Sequence, residues 1–302
     1  MTDKILVSGF TFIKNGLTLG YPIRESIESI EPLCDEIIIN VGYDDKNLQQ
    51  DDGTYDFLKS YFTHPKFKFI KSWWDPSIRK SGLILSQQTN IALAECCGEI
   101  CQYIQGDEVI HEDDLPAIHN GYIEMLNNPQ IEGLVFDYIH FYGNVDIYKY
   151  TRNIYRREVR AIRNKIGLQS WMDAQGFRQA GGGKPLGIRI KARIMHYGWA
   201  RKEQIMSAKV REFEKLYHDD SSVNKNFSYQ KVWGMKKFTQ THPKVMGRWI
   251  EQHRNSIDFF SLKLDVTFRK FFEYIGLVIS DAIERATDYR LGEFKNYRLY
   301  RD

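Results

Sequence analysis

Gln102-Tyr103-Ile104-Gln105-Gly106-Asp107-Glu108 is a short apolar run that ends abruptly in two adjacent acids. A buried strand that stops at carboxylates puts hard oxygen ligands at the lip of a sheet. Mg²⁺ favours such places, because it takes one or two carboxylates together with substrate phosphate oxygens. The run follows earlier strand-plus-loop units, where a nucleotide-binding α/β half would set its metal.

Upstream, strand and helix patterns alternate. Lys4 to Phe12 is apolar and β-rich and is broken by the turn signal Asn15-Gly16. Tyr21 to Ile30 reads as a helix, with Pro22 acceptable in its first turn. Glu36 to Val41 is a continuous apolar run, the mark of a strand covered on both faces, and it ends in Gly42-Tyr43-Asp44-Asp45. A helix over Tyr55–Thr63, a strand at Phe67–Ile70, a helix over Ser86–Cys97 and a strand over Glu99–Gln105 complete the rhythm. That alternation predicts parallel βαβ units with helices on both faces. Ligands of such sheets bind beyond the carboxyl ends of the strands. The loops at Lys14–Gly16, Gly42–Asp45, Ser72–Asp75 and Gly106–Glu108 should therefore gather on one edge. None is a Gly-x-Gly-x-x-Gly or Walker-type phosphate loop, which disfavours dinucleotide and P-loop chemistry. Trp73 and Trp74 are adjacent, so they face opposite ways, and Trp74 is a candidate to line a ligand site.

Downstream of Pro116 the pattern changes to a helix over Ile118–Leu126 and β segments at Gly133–Tyr142, Arg160–Lys165 and Gly187–Met195. Gly176 to Gly187, with Gly181-Gly182-Gly183, reads as a flexible stretch suited to a lid. From Gln204 the chain reads as helical, basic and aromatic. Phe259, Phe260, Phe268, Phe271 and Phe272 form a stripe better suited to core or interface than to a membrane face. Three segments are expected, at 1–115, 116–210 and 211–302.

With 42% hydrophobic and 27% charged residues the chain is globular rather than disordered. A net charge of +3 is too mild to call for a nucleic-acid partner. Basic residues do cluster from Arg152 to Lys165, as a solvated helix face or an anion contact. Cys96, Cys97 and Cys101 are crowded too closely for a disulfide framework or a standard zinc site, so free thiols are expected. The first residues run straight into a strand pattern at Ile5–Val7, and no apolar run approaches the roughly 20 residues of a membrane span. A cytoplasmic protein is expected, with contact at the inner membrane face and homodimerisation both open.

These ordered motifs resemble the inverting GT-A glycosyltransferases of family 2, over roughly residues 5 to 210. The resemblance implies a GT-A fold: a Rossmann-like, mostly parallel sheet flanked by helices, here with a C-terminal helical extension. It implies metal-dependent transfer of a sugar from a nucleoside diphosphate sugar, UDP-sugars favoured, to an acceptor hydroxyl of a glycan or glycoconjugate. Thr11 to Asn15 is similar to the nucleotide-binding loop, which assigns Phe12, Lys14 and Asn15 to the donor. Tyr43, Asp44 and Asp45 match the acidic loop that holds base or ribose, and Gln88 and Asn90 match the helix before the metal strand. Gln105-Gly106-Asp107 resembles the aspartate motif, with Gln105 in place of its first acid and Asp107 as metal ligand. Glu108 is a helper or a structural acid. Ser170 to Asp173 resembles the catalytic-base segment, although Met172 stands where the family carries Glu; Asp173 is the implied base and Asp137 the reserve. His196 resembles the late histidine that reaches back to the Mn²⁺ or Mg²⁺ ion, and Arg178 and Arg201 are candidates to offset diphosphate charge. The rival readings are a sugar-1-phosphate nucleotidyltransferase, whose Gly-rich N-terminal loop is missing here, and a non-catalytic binder of nucleotide or sugar.

Overall fold

A computed structural model describes residues 7–214, 227–255, 257–264, 266–287 and 289–300. Continuous apolar runs become its central strands. Strand β2 (Glu36–Tyr43) is buried along its whole length. Its side chains alternate between faces: Ile37, Ile39 and Val41 join Ile23, Ile27 and Ile30 of helix α1 (Ile23–Ile30), while Ile38 packs with Ala92 and Leu93 of α3 (Leu83–Ala94). Two helix layers on one strand explain why no polar alternation marks it.

Strands β1 (Val7–Ile13), β3 (Phe67–Trp73) and β4 (Ile100–Tyr103) complete a parallel half in the order β3-β2-β1-β4, with α2 (Thr54–Tyr61) between β2 and β3. The β1 pattern extended back to Lys4, but residues before Val7 lie outside the described ones. Beyond β4, β8 (Arg157–Arg163) runs antiparallel and pairs with β6 (Gly133–Tyr142). The same β6 pairs antiparallel with β7 (Asn144–Lys149) and in parallel with β11 (Leu186–Trp199), which also borders β5 (Glu108–Ile110). Helix α4 (Leu115–Asn127) packs on β11. The architecture is thus α/β, with a large central sheet flanked by helices.

The glycine-rich stretch differs from expectation. Gly176–Gln179 is strand β10, paired antiparallel with β9 (Leu168–Trp171), and only the turn from 180 to 185 is irregular. Gly182 sits at φ +81°, a left-handed turn position that favours glycine, and none of these turn residues lines the main cleft. The triple glycine makes a tight turn between β10 and β11, closed by the Gly182 N–H on the Gln179 carbonyl at 2.7 Å, so the lid reading is dropped.

The C-terminal region supplies α5 (Glu203–Glu214), α6 (Gly247–His253) and α7 (Phe268–Thr287), as the helical pattern led us to expect. It also adds two strands to the sheet: β12 (Met235–Lys237) on β7 and β13 (Arg298–Leu299) on β11. Strands from all three sequence segments therefore share one sheet. The phenylalanine stripe divides: Phe259 is buried against Tyr142 and Tyr229, whereas Phe268, Phe271 and Phe272 lie on the outer face of α7, Phe268 being 83% exposed. Cys34, Cys96 and Cys101 are buried free thiols and Cys97 is exposed. Among the described residues no helix is long and apolar enough to cross a membrane.

Candidate active-site cleft

A cleft of about 890 Å³ opens beyond the carboxyl ends of the parallel strands. The turn from β4 into β5 delivers Asp107 to its floor, and the Asp107 carbonyl accepts the Tyr197 N–H at 2.8 Å, which ties the turn to β11. The Asp107 carboxylate meets the Lys209 ammonium at 3.0 Å and lies 3.6 Å from His196 Nε2. Burial alone would push this acid up. Lys209, His196 and Arg201 outweigh it and hold the carboxyl well below its usual range.

A chain of hydrogen bonds sets the state of His196. Register places His140 of β6 beside His196 of β11, and their Nδ1 atoms are 3.0 Å apart. His140 Nε2 is 2.6 Å from the Tyr155 carbonyl, which only accepts, so that nitrogen carries the proton. Burial, then neighbouring His196, keep the His140 ring neutral. Its Nδ1 is therefore an acceptor, and the proton between the two rings belongs to His196 Nδ1. The remaining nitrogen, His196 Nε2, faces the Asp107 carboxylate.

A carboxylate and an imidazole nitrogen 3.6 Å apart are spaced to share a cation. Donors each about 2.1 Å from one ion lie between about 3.0 Å and 4.2 Å apart, depending on the angle. Gly198 keeps that space open. A Cβ there would stand 2.5 Å from His196 Nε2 and 2.7 Å from the Asp107 carboxylate. An imidazole whose far nitrogen is held by a fixed partner, with a carboxylate opposite, could hold a metal ion. Among the described residues the only wider cluster of metal-ligating groups, His111, Glu112 and Asp113, is half spent inside the fold, with His111 accepting the Asp113 N–H and bonding Thr241.

Lys209, on α5, was not singled out from the sequence, where it reads as one more basic residue on a solvated helix. It is buried, donates to the Gly198 carbonyl at 2.8 Å as well as to Asp107, and burial pushes its pKa down to about 8.

The structure brings Phe12, Lys14, Asn15, Asp44 and Trp74 into the lining of the cleft together with Gln105, Gly106, Asp107, Asp173 and His196. Phe12 and Trp74 stack with centroids 6.1 Å apart and planes at 26°, a flat shelf, and Lys14 pairs with Asp44. Asp173 stands in the turn after β9, its carboxylate accepting the Gln175 N–H at 3.4 Å, and burial raises its pKa.

Four expected donor residues are outside the cleft, because the fold uses their polar groups. Tyr43 is buried against Tyr55. Asp45 caps a turn through the N–H groups of Gln49 and Gln50. Gln88 is buried on Asn40, Ser72 and the Trp73 carbonyl. Asn90 clamps Ser170 by accepting its N–H at 2.8 Å and donating to its carbonyl at 3.2 Å. Glu108 is structural: it and Arg160 are both 0% exposed and paired at 2.8 Å, with the Tyr138 hydroxyl donating to the same carboxylate. The reserve base Asp137 is committed to Arg157 and Arg189. Arg178 is turned into the fold toward the carbonyls of Phe177 and Asn296. Arg201 is buried on the carbonyls of Leu19 and Gly198, lies over Tyr21, and acts on the site only by its field at Asp107.

No protein-family model matches this chain, and no curated protein matches it. Among solved structures it is similar to residues 1–349 of TarS from S. aureus, with 17% identity and a TM-score of 0.31 over 45% of this chain and 36% of that one. The same TarS fragment in complex with UDP-GlcNAc aligns at 17% identity and a TM-score of 0.30, over 45% of this chain and 34% of that one. The mannosyltransferase PcManGT from Pyrobaculum calidifontis, in complex with GDP-Man and Mn²⁺, aligns at 20% identity and a TM-score of 0.31, over 44% of this chain and 35% of that one. The chain therefore spans about a third of the length of each of these proteins.

Proposed function

We propose that this chain is a glycosyltransferase that transfers a sugar from a nucleoside diphosphate sugar to an acceptor hydroxyl on a glycan or glycoconjugate, with inversion. The observation that carries the proposal is Asp107 and His196 facing each other at 3.6 Å, with a glycine keeping the gap open, in a cleft beyond parallel strands. Asp107 and His196 would hold Mn²⁺ or Mg²⁺, which when bound supplies Lewis acidity toward the departing diphosphate. Lys209 adds a positive charge beside it. The Phe12–Trp74 shelf accepts a flat base, and Lys14, Asn15 and Asp44 offer hydrogen bonds to base or ribose, with uridine favoured. Asp173 takes the proton of the attacking hydroxyl at its carboxylate. Its burial raises its basicity, which suits a general base, and one base without a covalent intermediate gives inversion. On this reading residues 1–115 carry the donor side and 116–210 the acceptor side.

Calorimetric titration with UDP tests the proposal. Binding is expected to require Mn²⁺ or Mg²⁺ in the wild type and to lose that requirement, with most of its affinity, in Asp107→Asn. Asp173→Asn should keep UDP binding and lose transfer by about 10²–10⁴-fold. Indifference to nucleoside diphosphates with and without Mn²⁺ would end the proposal. Release of pyrophosphate instead of UDP would point to a nucleotidyltransferase, and binding without turnover to a non-catalytic receptor.

A further inference from the structure

Lys149 closes β7 and lines the cleft, and among the described residues no carboxylate pairs with it. The other cleft lysines are spent: Lys14 is on Asp44 and Lys209 on Asp107. Register fixes where Lys149 stands. It pairs with His140, which pairs with His196, so the three side chains form one row on the cleft face of β7, β6 and β11. Adjacent strands are about 4.8 Å apart, which puts the backbone of Lys149 about 10 Å from that of His196. Its ammonium leans farther along, over the ring of Tyr142 at 3.8 Å. Tyr142, Trp199 and Val210 line the cleft on that side.

The ring face offsets part of the cost of burying this charge but brings no negative charge to it. Burial accordingly pushes Lys149 down to about 8, with no anion opposing the shift, so it still carries its proton at neutral pH. A half-buried, unpaired ammonium in an aromatic lobe of an open cleft is built to receive an anion. On the proposed reading Asp107, His196 and Lys209 serve the diphosphate, and Lys149, two strands away from His196, belongs to the 116–210 segment assigned to the acceptor.

Building on the proposed transferase function, we propose that the acceptor carries an anionic group, a phosphate or a carboxylate, and that Lys149 binds it against the aromatic lobe of Tyr142 and Trp199. The test uses the protein saturated with UDP and Mn²⁺, so that the donor site is filled. Methyl glucoside, methyl glucuronide and glucose 6-phosphate are titrated in turn by calorimetry. At least one anionic probe should bind tenfold or more tighter than the neutral one, and which of the two does so names the source of the charge. Lys149→Met should erase that preference and Lys149→Arg should retain it. Equal binding of the three probes by the wild type, or a preference that survives Lys149→Met, overturns the proposal. A melting temperature that falls sharply in both Lys149→Met and Lys149→Gln also overturns it, because that marks a structural cation; removal of an unpaired charge should leave stability equal or higher. If UDP does not bind at all, the transferase reading fails separately. The same probes on the free protein then still decide whether Lys149 selects anions.

Discussion

At the residue scale, the site depends on which nitrogen of each histidine carries a proton. His140 touches no ligand on this reading; it acts by accepting the His196 Nδ1–H, which leaves the other His196 nitrogen as the one open to a cation. His140→Phe removes that acceptor in a ring of similar shape. His196 is then at liberty to put its proton on Nε2 and donate to Asp107, closing the gap to a cation. We expect Mn²⁺ affinity, followed by the electron paramagnetic resonance signal of free Mn²⁺, to fall by about 10–100-fold; unchanged affinity would refute the tautomer argument. The place of Asp107 in the cleft was legible because an apolar strand pattern stops there, while His196 was singled out only through the family resemblance. His140 was not, since its role arises from cross-strand register, and Lys209 was not, since a buried lysine on a basic helix looks like its solvated neighbours. Glu158 of β8 shows a second residue-scale effect. Burial lifts its pKa from 4.5 to about 7, although Gln175 and Asn296 both donate to it. The folded state therefore binds the proton that the unfolded state releases between those two values, and stability falls as pH rises across that window. The loss amounts to about 3 kcal/mol. Urea denaturation from pH 4.5 to 8 should show that slope in the wild type and a flatter one in Glu158→Gln.

The next scale is that of single elements, and β11 is the one that assembles the cleft floor. Between His196↔His140 and Trp199↔Tyr142 the register with β6 slips, so β11 carries one more residue than its partner. Such a bulge re-aims the side chains around it. Here it brings Gly198 to face Asp107 and His196, and the bare Cα leaves room for both. Gly198→Ala would drive a methyl group into the gap. We expect a folded protein with little change in circular dichroism and a loss of metal-dependent UDP binding of at least tenfold, since the two ligand atoms can no longer converge. Normal binding in that variant would remove the shared-cation geometry. The strands β2 and β6 were plain from sequence because their apolar runs are long and end in polar or glycine signals. Strands β12 and β13 have only three and two residues, too few to leave a pattern. The 176–187 stretch was misread because glycine content signals a turn as readily as a lid, and only the pairing of Gly176–Gln179 with Leu168–Trp171 decides between them.

Across the whole molecule, the C-terminal tail connects to the turn that carries the proposed base. The Arg298 N–H donates to the Pro185 carbonyl and the Tyr300 N–H to the Gly187 carbonyl, which sews β13 onto β11. Helix α7 is anchored by Glu284, which pairs with both Arg156 and Arg290. Between these two attachments Asn296 reaches into the core, where its carboxamide oxygen, like its backbone carbonyl, accepts from Arg178 and its carboxamide N–H donates to Glu158 at 2.8 Å. Glu158 in turn accepts from Gln175 at 2.8 Å, two residues after Asp173. A line of contacts thus runs from the tail to the turn that presents the proposed base, through the buried Asn296 and Glu158 and the half-buried Gln175. Asn296→Ala strips a partner from each of two buried ionisable groups, a loss worth about 2–4 kcal/mol. Urea denaturation should register it as a lower midpoint with an unchanged slope. UDP binding, which on the proposed reading uses other residues of the cleft, should stay as it was, while transfer slows because Asp173 is less firmly placed. A variant that loses stability yet keeps full turnover would show that the tail supports the fold alone and has no hold on the base.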